Sequence, residues 1–375
     1  MRILLILLLA ISLNAKSFLI SNIPLPRVEV INLNFKEYSE KEIEKLYEQG
    51  YVLTLLSLNN LNESMTQLTQ IHKQILNIHE AIDRQLYKIA FFMPKKAIGK
   101  YATSTVNSAI TTMLTHNLDF ELNVYDAQEF DTSLENIEAL THNIVIAPVT
   151  IEYAQKLCDK TLANRFYIPT VHSKNLHCDN QNIVFGAIDY QAQVDSFQSE
   201  ITEPLTLVSN TSSVTSLIDG YVVDSYDIRE HIVVTDAGNL KRLLTENKDV
   251  LHEQTVFLNL PLIEATLFLS QLPLYEIEPK AIYATQILYN PNILKLTQYN
   301  DRKNILIANS IKKLDAKDIG NANLLRNDLR YDWVDFTTTY GFSKILEGSL
   351  GNNQIEYEIE HVKALRRNFV KKEPN

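Results

Sequence analysis

From Tyr87 onward short apolar runs alternate with amphipathic stretches, and no other feature restricts the fold of this chain as much. Residues 88–93 predict a strand that ends at Pro94, with a helix over 97–116. Residues 121–125 and 143–147 predict two more strands, the second closed by Pro148, with a helix over 134–140 between them. Residues 151–162 read as a helix with Glu152 early and Lys160 late, and 165–168 as a strand closed by Pro169. Proline lacks the amide that a central strand needs, so it ends the run. Strands that alternate with helices imply a parallel sheet with right-handed crossovers.

The pattern restarts after a linker at 174–182 rich in Asn, Asp and His. Strands are expected at 183–188, 205–208, 231–235, 255–258, 280–284 and 304–308. Helices are expected at 190–199, after a cap at Ser212 or Ser213, at 240–244, from Pro261 to Leu272, and near 331–340. The predicted fold class is therefore α/β with two lobes. The first lobe is placed at 87–182 and the second at 183–286. Residues 287–375 return to the first lobe and end in a tail.

The first 15 residues carry one basic residue, Arg2, an apolar run from Ile3 to Leu13, and a small residue, Ala15. That is the order of a secretory signal peptide. The run is shorter than the ~20 apolar residues that a membrane span needs. Cleavage near Ala15 and a periplasmic location are expected; an uncleaved anchor is the alternative. In the most apolar later stretch, Pro261, Glu264 and Pro273 argue against a span, so no transmembrane segment is expected in the mature chain.

Residues 16–86 read as an extended and helical segment. Pro24 and Pro26 mark the lead-in, and Ser39 with Glu42 has capping-box spacing. Leu61, Met65, Leu68, Ile71, Ile75, Ile78 and Ile82 form an amphipathic stripe, and Gly50 divides the segment into two helices. Such a stripe serves either a partner protein or the chain's own core.

About 360 residues would remain after cleavage, more than one core usually organises. The formal charge of −10 argues against a nucleic-acid backbone as partner. Lys363, Arg366, Arg367, Lys371 and Lys372 cluster at the C-terminus, as a solvated face or a docking site. Cys158 and Cys178 permit a disulfide closing about 20 residues in an exported protein, or stand as two thiols. His172 and His177 lie nearby, but metal-ligand spacing is missing and no metal site is expected.

Motifs of catalysis are missing. There is no Gly-x-Ser-x-Gly elbow and no phosphate-binding glycine loop, and Ser104 lies too far into its helix to be a turn nucleophile. Asp224 and Asp227 suggest no paired-carboxylate site. Glu356, Glu358 and Glu360 alternate with apolar residues as a half-exposed strand would. No enzyme activity and no cofactor are expected.

The element order, with 88–93 feeding a long helix, and the local sequences at 145–149, 185–189, 256–261 and 281–285, resembles type I periplasmic binding proteins over about residues 86–375. The helical segment ahead of the lobes is more similar to envelope proteins that activate penicillin-binding proteins, the LpoA-like group, than to a nutrient receptor. The resemblance implies a ligand between the lobes, at loops following the strands. Position by position it implies Tyr125, Thr150, Thr170, Asp189, Tyr190, Ser209, Asn259 and Thr285 as ligand-binding residues. Pro94, Lys95, Asp126, Pro148, His172, Asn210 and Gln286 lie beside them. Thr150, Ser209 and Asn259 could equally cap helices. Amino-acid receptors of this group use an aromatic stack and an acid for the ammonium. Tyr190 could supply the first, and Asp189 or Asp236 the second. The chain has only nine glycines, which leans toward a closed cleft and protein-binding surfaces. The expectation is an accessory or regulatory envelope protein that binds a partner protein, with cell-wall assembly as its setting; the alternative is a solute receptor closing on a small polar ligand.

Overall fold

The structure is a computed structural model and describes residues 26–27, 38–56, 58, 61–76, 86–348, 353–364 and 370–371. The signal-like segment, Pro24, Ile78, Ile82, Arg366, Arg367 and Lys372 lie outside them. The chain divides into two compact units, residues 1–80 and 81–375.

In the first unit three helices, Glu40–Glu48, Val52–Leu56 and Glu63–Ile75, follow one another. The Ser39 amide donates to the Glu42 carboxylate, 2.9 Å, at the expected cap. Gly50 ends the first helix with φ of 75°, a left-handed turn that glycine takes without strain. The Asn62 side chain accepts from the Met65 amide, 2.9 Å, and starts the third helix. Ile43, Leu55 and Met65 form the unit's core cluster. The helical segment is thus split once more than expected, between Leu56 and Glu63.

The second unit contains two sheets. The first joins β1 (Tyr87–Met93), β2 (Phe120–Asp126), β3 (Ile144–Ile146), β4 (Phe166–Ile168) and β5 (Ile183–Phe185), all parallel, in the order 2-1-3-4-5. Residues 89–93 are fully buried, as both faces of a parallel sheet require. The second sheet joins β6 (Leu205–Ser209), β7 (Ile228–Val233), β8 (Thr255–Asn259), β9 (Ala281–Ala284) and β10 (Ile305–Asn309). Its order 7-6-8-9-10 repeats the first, and β11 (Glu360–Lys363) and β12 (Val370–Lys371) extend it antiparallel beyond β10. The core of the second lobe lies on both faces, with Val256, Leu258 and Ile282 on one and Leu207, Phe257 and Tyr283 on the other.

Four details differ from the sequence reading. β5 pairs with β4, so the first lobe runs past residue 182 to Phe185. An apolar run announces a strand but not which sheet will hydrogen-bond it. The second lobe continues to β10, beyond residue 286. The helix expected at 97–116 breaks at Gly99, with φ of 55°, into Lys95–Ile98 and Lys100–Thr115. Residues 355–359, read as a strand, are an irregular strap: the Ile355 amide donates to Phe185 O, 2.8 Å, and the Tyr357 hydroxyl to Gly186 O, 2.6 Å. Their alternating burial serves that strap instead.

The chain therefore crosses between lobes three times: after β5, after β10, and between Ile355 and β11. After the second crossing, helices Ala316–Leu324 and Trp333–Leu346 pack on helix Lys100–Thr115 of the first lobe. Asn107 Nδ2 donates to Leu325 O, 3.1 Å, and Ser104 Oγ to the Asp335 carboxylate. Tyr167, fully buried on β4, donates to Thr337 O, 2.6 Å, and its ring lies directly against both Gly186 and Gly341. A disulfide joins Cys158 to Cys178, Cα–Cα 5.2 Å, tying the end of helix Ile151–Cys158 to the segment before β5.

Candidate functional site

Parallel strands direct their carboxyl ends, and the helices that follow, to one edge of the sheet. At these edges the two lobes touch. The Tyr221 hydroxyl, on helix Ser213–Ser225, donates to Asn175 Oδ1 in the loop after β4, 2.6 Å. The Tyr289 ring, after β9, lies 5.4 Å from Tyr331, which precedes helix Trp333–Leu346. Lys174 Nζ, from the loop after β4, lies 2.5 Å from Asp189 Oδ2 at the first crossing, and His172 Nε2 lies 3.7 Å from the same oxygen.

The wall between these contacts is aromatic. Tyr101 stands in the first turn of helix Lys100–Thr115, after Gly99, and its ring lies 6.3 Å from Trp333, the chain's single tryptophan. Tyr190 opens the first helix after the crossing, close enough for Tyr101 to perturb its titration. Burial raises the phenols of Tyr101, Tyr190 and Tyr221, and brings Tyr289 to about 12. All four therefore stay neutral hydrogen-bonding groups at physiological pH. Burial works against ionisation of Asp189, but Lys174, the Ala192 amide and His172 outweigh it and hold the carboxyl below its usual value. Burial lowers the His172 pKa in spite of Asp189.

The residues singled out from sequence fall into three groups. Thr150, Thr170, Asp189 and Tyr190 stand in the loops or first turns that follow β3, β4 and β5. Thr150 is exposed and its hydroxyl makes no capping bond, leaving it and the first-turn amides of helix Ile151–Cys158 open. The Thr170 hydroxyl donates to Val149 O, 2.6 Å. Asp189 Oδ1 caps its helix through the Ala192 amide, 2.9 Å.

Ser209, Asn259 and Thr285 form the second group. They end or follow β6, β8 and β9 and are fully buried. Asn259 Nδ2 donates to Asp219 Oδ1, 2.6 Å, and Ser209 Oγ lies 2.8 Å from His231 Nε2. These two bind the covering helix and the neighbouring strand. Thr285 Oγ1 and Asn259 Oδ1 have no partner among the described residues. Tyr125 stands apart: half-buried on β2, it packs edge-on to His142 at 6.2 Å, within the first lobe.

The sequence reading missed Tyr101, Asn175, Tyr221, Tyr289, Tyr331 and Trp333. Tyr101 carried a signal, an aromatic residue directly after the glycine that opens the long helix following a strand. The others lie in loops, on helices or on the return segment, where sequence offers no marker of the partner across the gap.

No protein-family model matches this chain, and no curated protein does. Solved structures do. A Rhodospirillum rubrum protein assigned to branched-chain amino acid ABC transport has a TM-score of 0.58 at 9% identity, covering 77% of this chain and 100% of that one. A Thermus thermophilus branched-chain amino acid ABC transporter with bound valine has a TM-score of 0.53 at 11% identity, covering 77% of this chain and 96% of that one. A branched-chain amino acid substrate-binding protein from Streptococcus pneumoniae, in complex with isoleucine, has a TM-score of 0.51 at 11% identity, covering 77% and 100%.

Proposed function

We propose that this chain, which has the two-lobed α/β fold of type I periplasmic binding proteins, is a non-enzymatic, exported receptor that closes its lobes on a small polar ligand of the amino-acid class. One observation carries the reading: two sheets of the same strand order meet at their carboxyl edges through side chains of both lobes. Ligands of open α/β sheets bind at such edges. The free Thr150 hydroxyl and the amides behind it suit a carboxylate. Tyr101, Trp333 and Tyr190 suit the ligand's apolar part and can face a cation. The exported location rests on the signal-like residues 1–15. Among the described residues no helix is long and apolar enough to cross a membrane.

The deciding experiment is thermal unfolding of the mature chain against single amino acids, short peptides and sugars, followed by calorimetry of any hit. A ligand at 100 times its Kd adds ~2.7 kcal/mol of stability. A saturable hit that Thr150→Ala weakens severalfold supports the receptor reading; a flat panel overturns it. The other reading, a regulator of the LpoA-like group that docks a partner protein in cell-wall assembly, is favoured by the separate unit before the lobes, with three helices among its described residues. It would then be tested by co-purification from the envelope.

A further inference from the structure

At the opposite end of the second lobe, where β8, β9 and β10 begin, the structure has a cavity of about 460 Å³. That volume is within the range of small-molecule sites, ~300–1,000 Å³. Leu269, Leu272, Ile277 and Ile282 line it and are buried, so its floor is apolar. Glu276, Glu278 and Asp301 also line it. A second cavity of about 400 Å³ shares His252, Glu278, Pro279 and Asn304 with the first and adds Glu253 and Lys280.

We propose that this base cavity is a second binding site, for a small organic cation with an ammonium group on an apolar stem. Around the two cavities stand four carboxylates (Glu253, Glu276, Glu278, Asp301) and two lysines (Lys280, Lys303). The lysines are engaged, Lys303 with Glu278 at 2.5 Å and Lys280 with Glu203 at 3.1 Å, and Glu276 in turn pairs with Lys248 at 3.3 Å, so five carboxylates stand against three lysines once these partners are counted. The His252 ring is fixed by its Nδ1, which accepts from the Glu278 amide, 3.1 Å. The surplus charge at the mouth is negative, above a floor that offers only apolar contact. Glu253 and Glu276 have φ of 56° and 55°. A non-glycine residue there costs roughly 1–2 kcal/mol, so both turns at the mouth keep a carboxylate where glycine would sit without strain. An anion of the same shape meets repulsion at that mouth, and a neutral alcohol loses the charge contact.

The test is an amide NMR titration of the mature protein with hexylammonium chloride, using hexanol and hexanoate as matched probes. Hexylammonium is expected to shift the amides of residues 276–278 and 300–304 saturably, ahead of both controls, and to leave those around Thr150 in place. Glu276→Gln, at an exposed side chain, and Asn300→Trp, at the exposed rim, should each raise its Kd about tenfold. Equal binding of the three probes, shifts confined to the face between the lobes, no saturable shift, or indifference to both substitutions would overturn the proposal. The two edges of the sheet report separately, so this result and that of the amino-acid panel are distinguishable.

Discussion

The Tyr221 hydroxyl donates a 2.6 Å hydrogen bond to Asn175 Oδ1, joining a helix of the second lobe to a loop of the first. One such bond is worth about 1 kcal/mol net. Tyr221→Phe should therefore weaken the closed arrangement and lower ligand affinity about fivefold, mainly through faster dissociation. Stopped-flow dissociation of a bound ligand reads this directly. An unchanged rate would mean that the contact does not hold the lobes together.

Thr150 separates the capping and ligand roles. Its hydroxyl caps nothing. Thr150→Ala should leave the urea midpoint within the equivalent of about 0.5 kcal/mol and still weaken ligand binding severalfold. A large loss of stability with unchanged binding would assign the residue to the scaffold.

Asp335 makes stability depend on pH. Its buried carboxyl is raised to about 7 by burial first and then by Asp332, against the Ser104 hydroxyl and the Asp328 amide. In the unfolded chain an aspartate titrates near ~3.9. The folded state thus holds the proton more tightly. This contribution is complete below pH ~4 and is lost as pH rises through about 7. Relative to Asp335→Asn, the wild type should lose on the order of 3 kcal/mol between those limits. Urea unfolding of both proteins across that range checks it, and parallel curves would contradict it.

Tyr167 lies against Gly186 and Gly341, and a Cβ on either would collide with the end of its ring. Gly341→Ala should cost roughly 2–3 kcal/mol. Adding Tyr167→Phe removes the hydroxyl that the new methyl meets first, so the double variant should recover part of that loss beyond additivity. Denaturant midpoints of the four-protein cycle provide the measurement.

The Cys158–Cys178 disulfide closes a separation of 20 residues. Replacing both cysteines with serine should lower stability by about 3 kcal/mol, seen as a lower Tm that added reductant no longer changes.

Much of the scaffold could be read from residues alone, and the reasons are local. The buried run at 89–93 and the prolines at 94, 148 and 169 mark strands and their ends without reference to anything distant. The place of β5 could not be read the same way, because its three apolar residues would suit either sheet until β4 pairs with it. The strap at 355–359 misled for a related reason: alternation of exposed glutamates with apolar residues records which side faces water, not whether a neighbouring strand exists. At the candidate site, Asp189 and Tyr190 were legible because they sit where a strand gives way to a helix. Ser209 and Asn259 occupy equivalent positions and yet turn inward to His231 and Asp219. Which side a strand-end residue takes depends on the helix that covers it, a long-range fact.

The three crossings also bear on how the molecule comes into being. Neither lobe is one continuous stretch of chain. The first is not complete until Ile355 joins Phe185, and the second lacks a strand until Glu360–Lys363 pairs with β10. Emerging from a ribosome, the chain has no finished lobe until Ile355 has been made. A product terminated at the linker would hold four of the first sheet's five strands and leave the edge of β4 bare, prone to pairing with its neighbours. Assembly thereby waits on the segment from Ile355 to Lys363, and both lobes fall due nearly together.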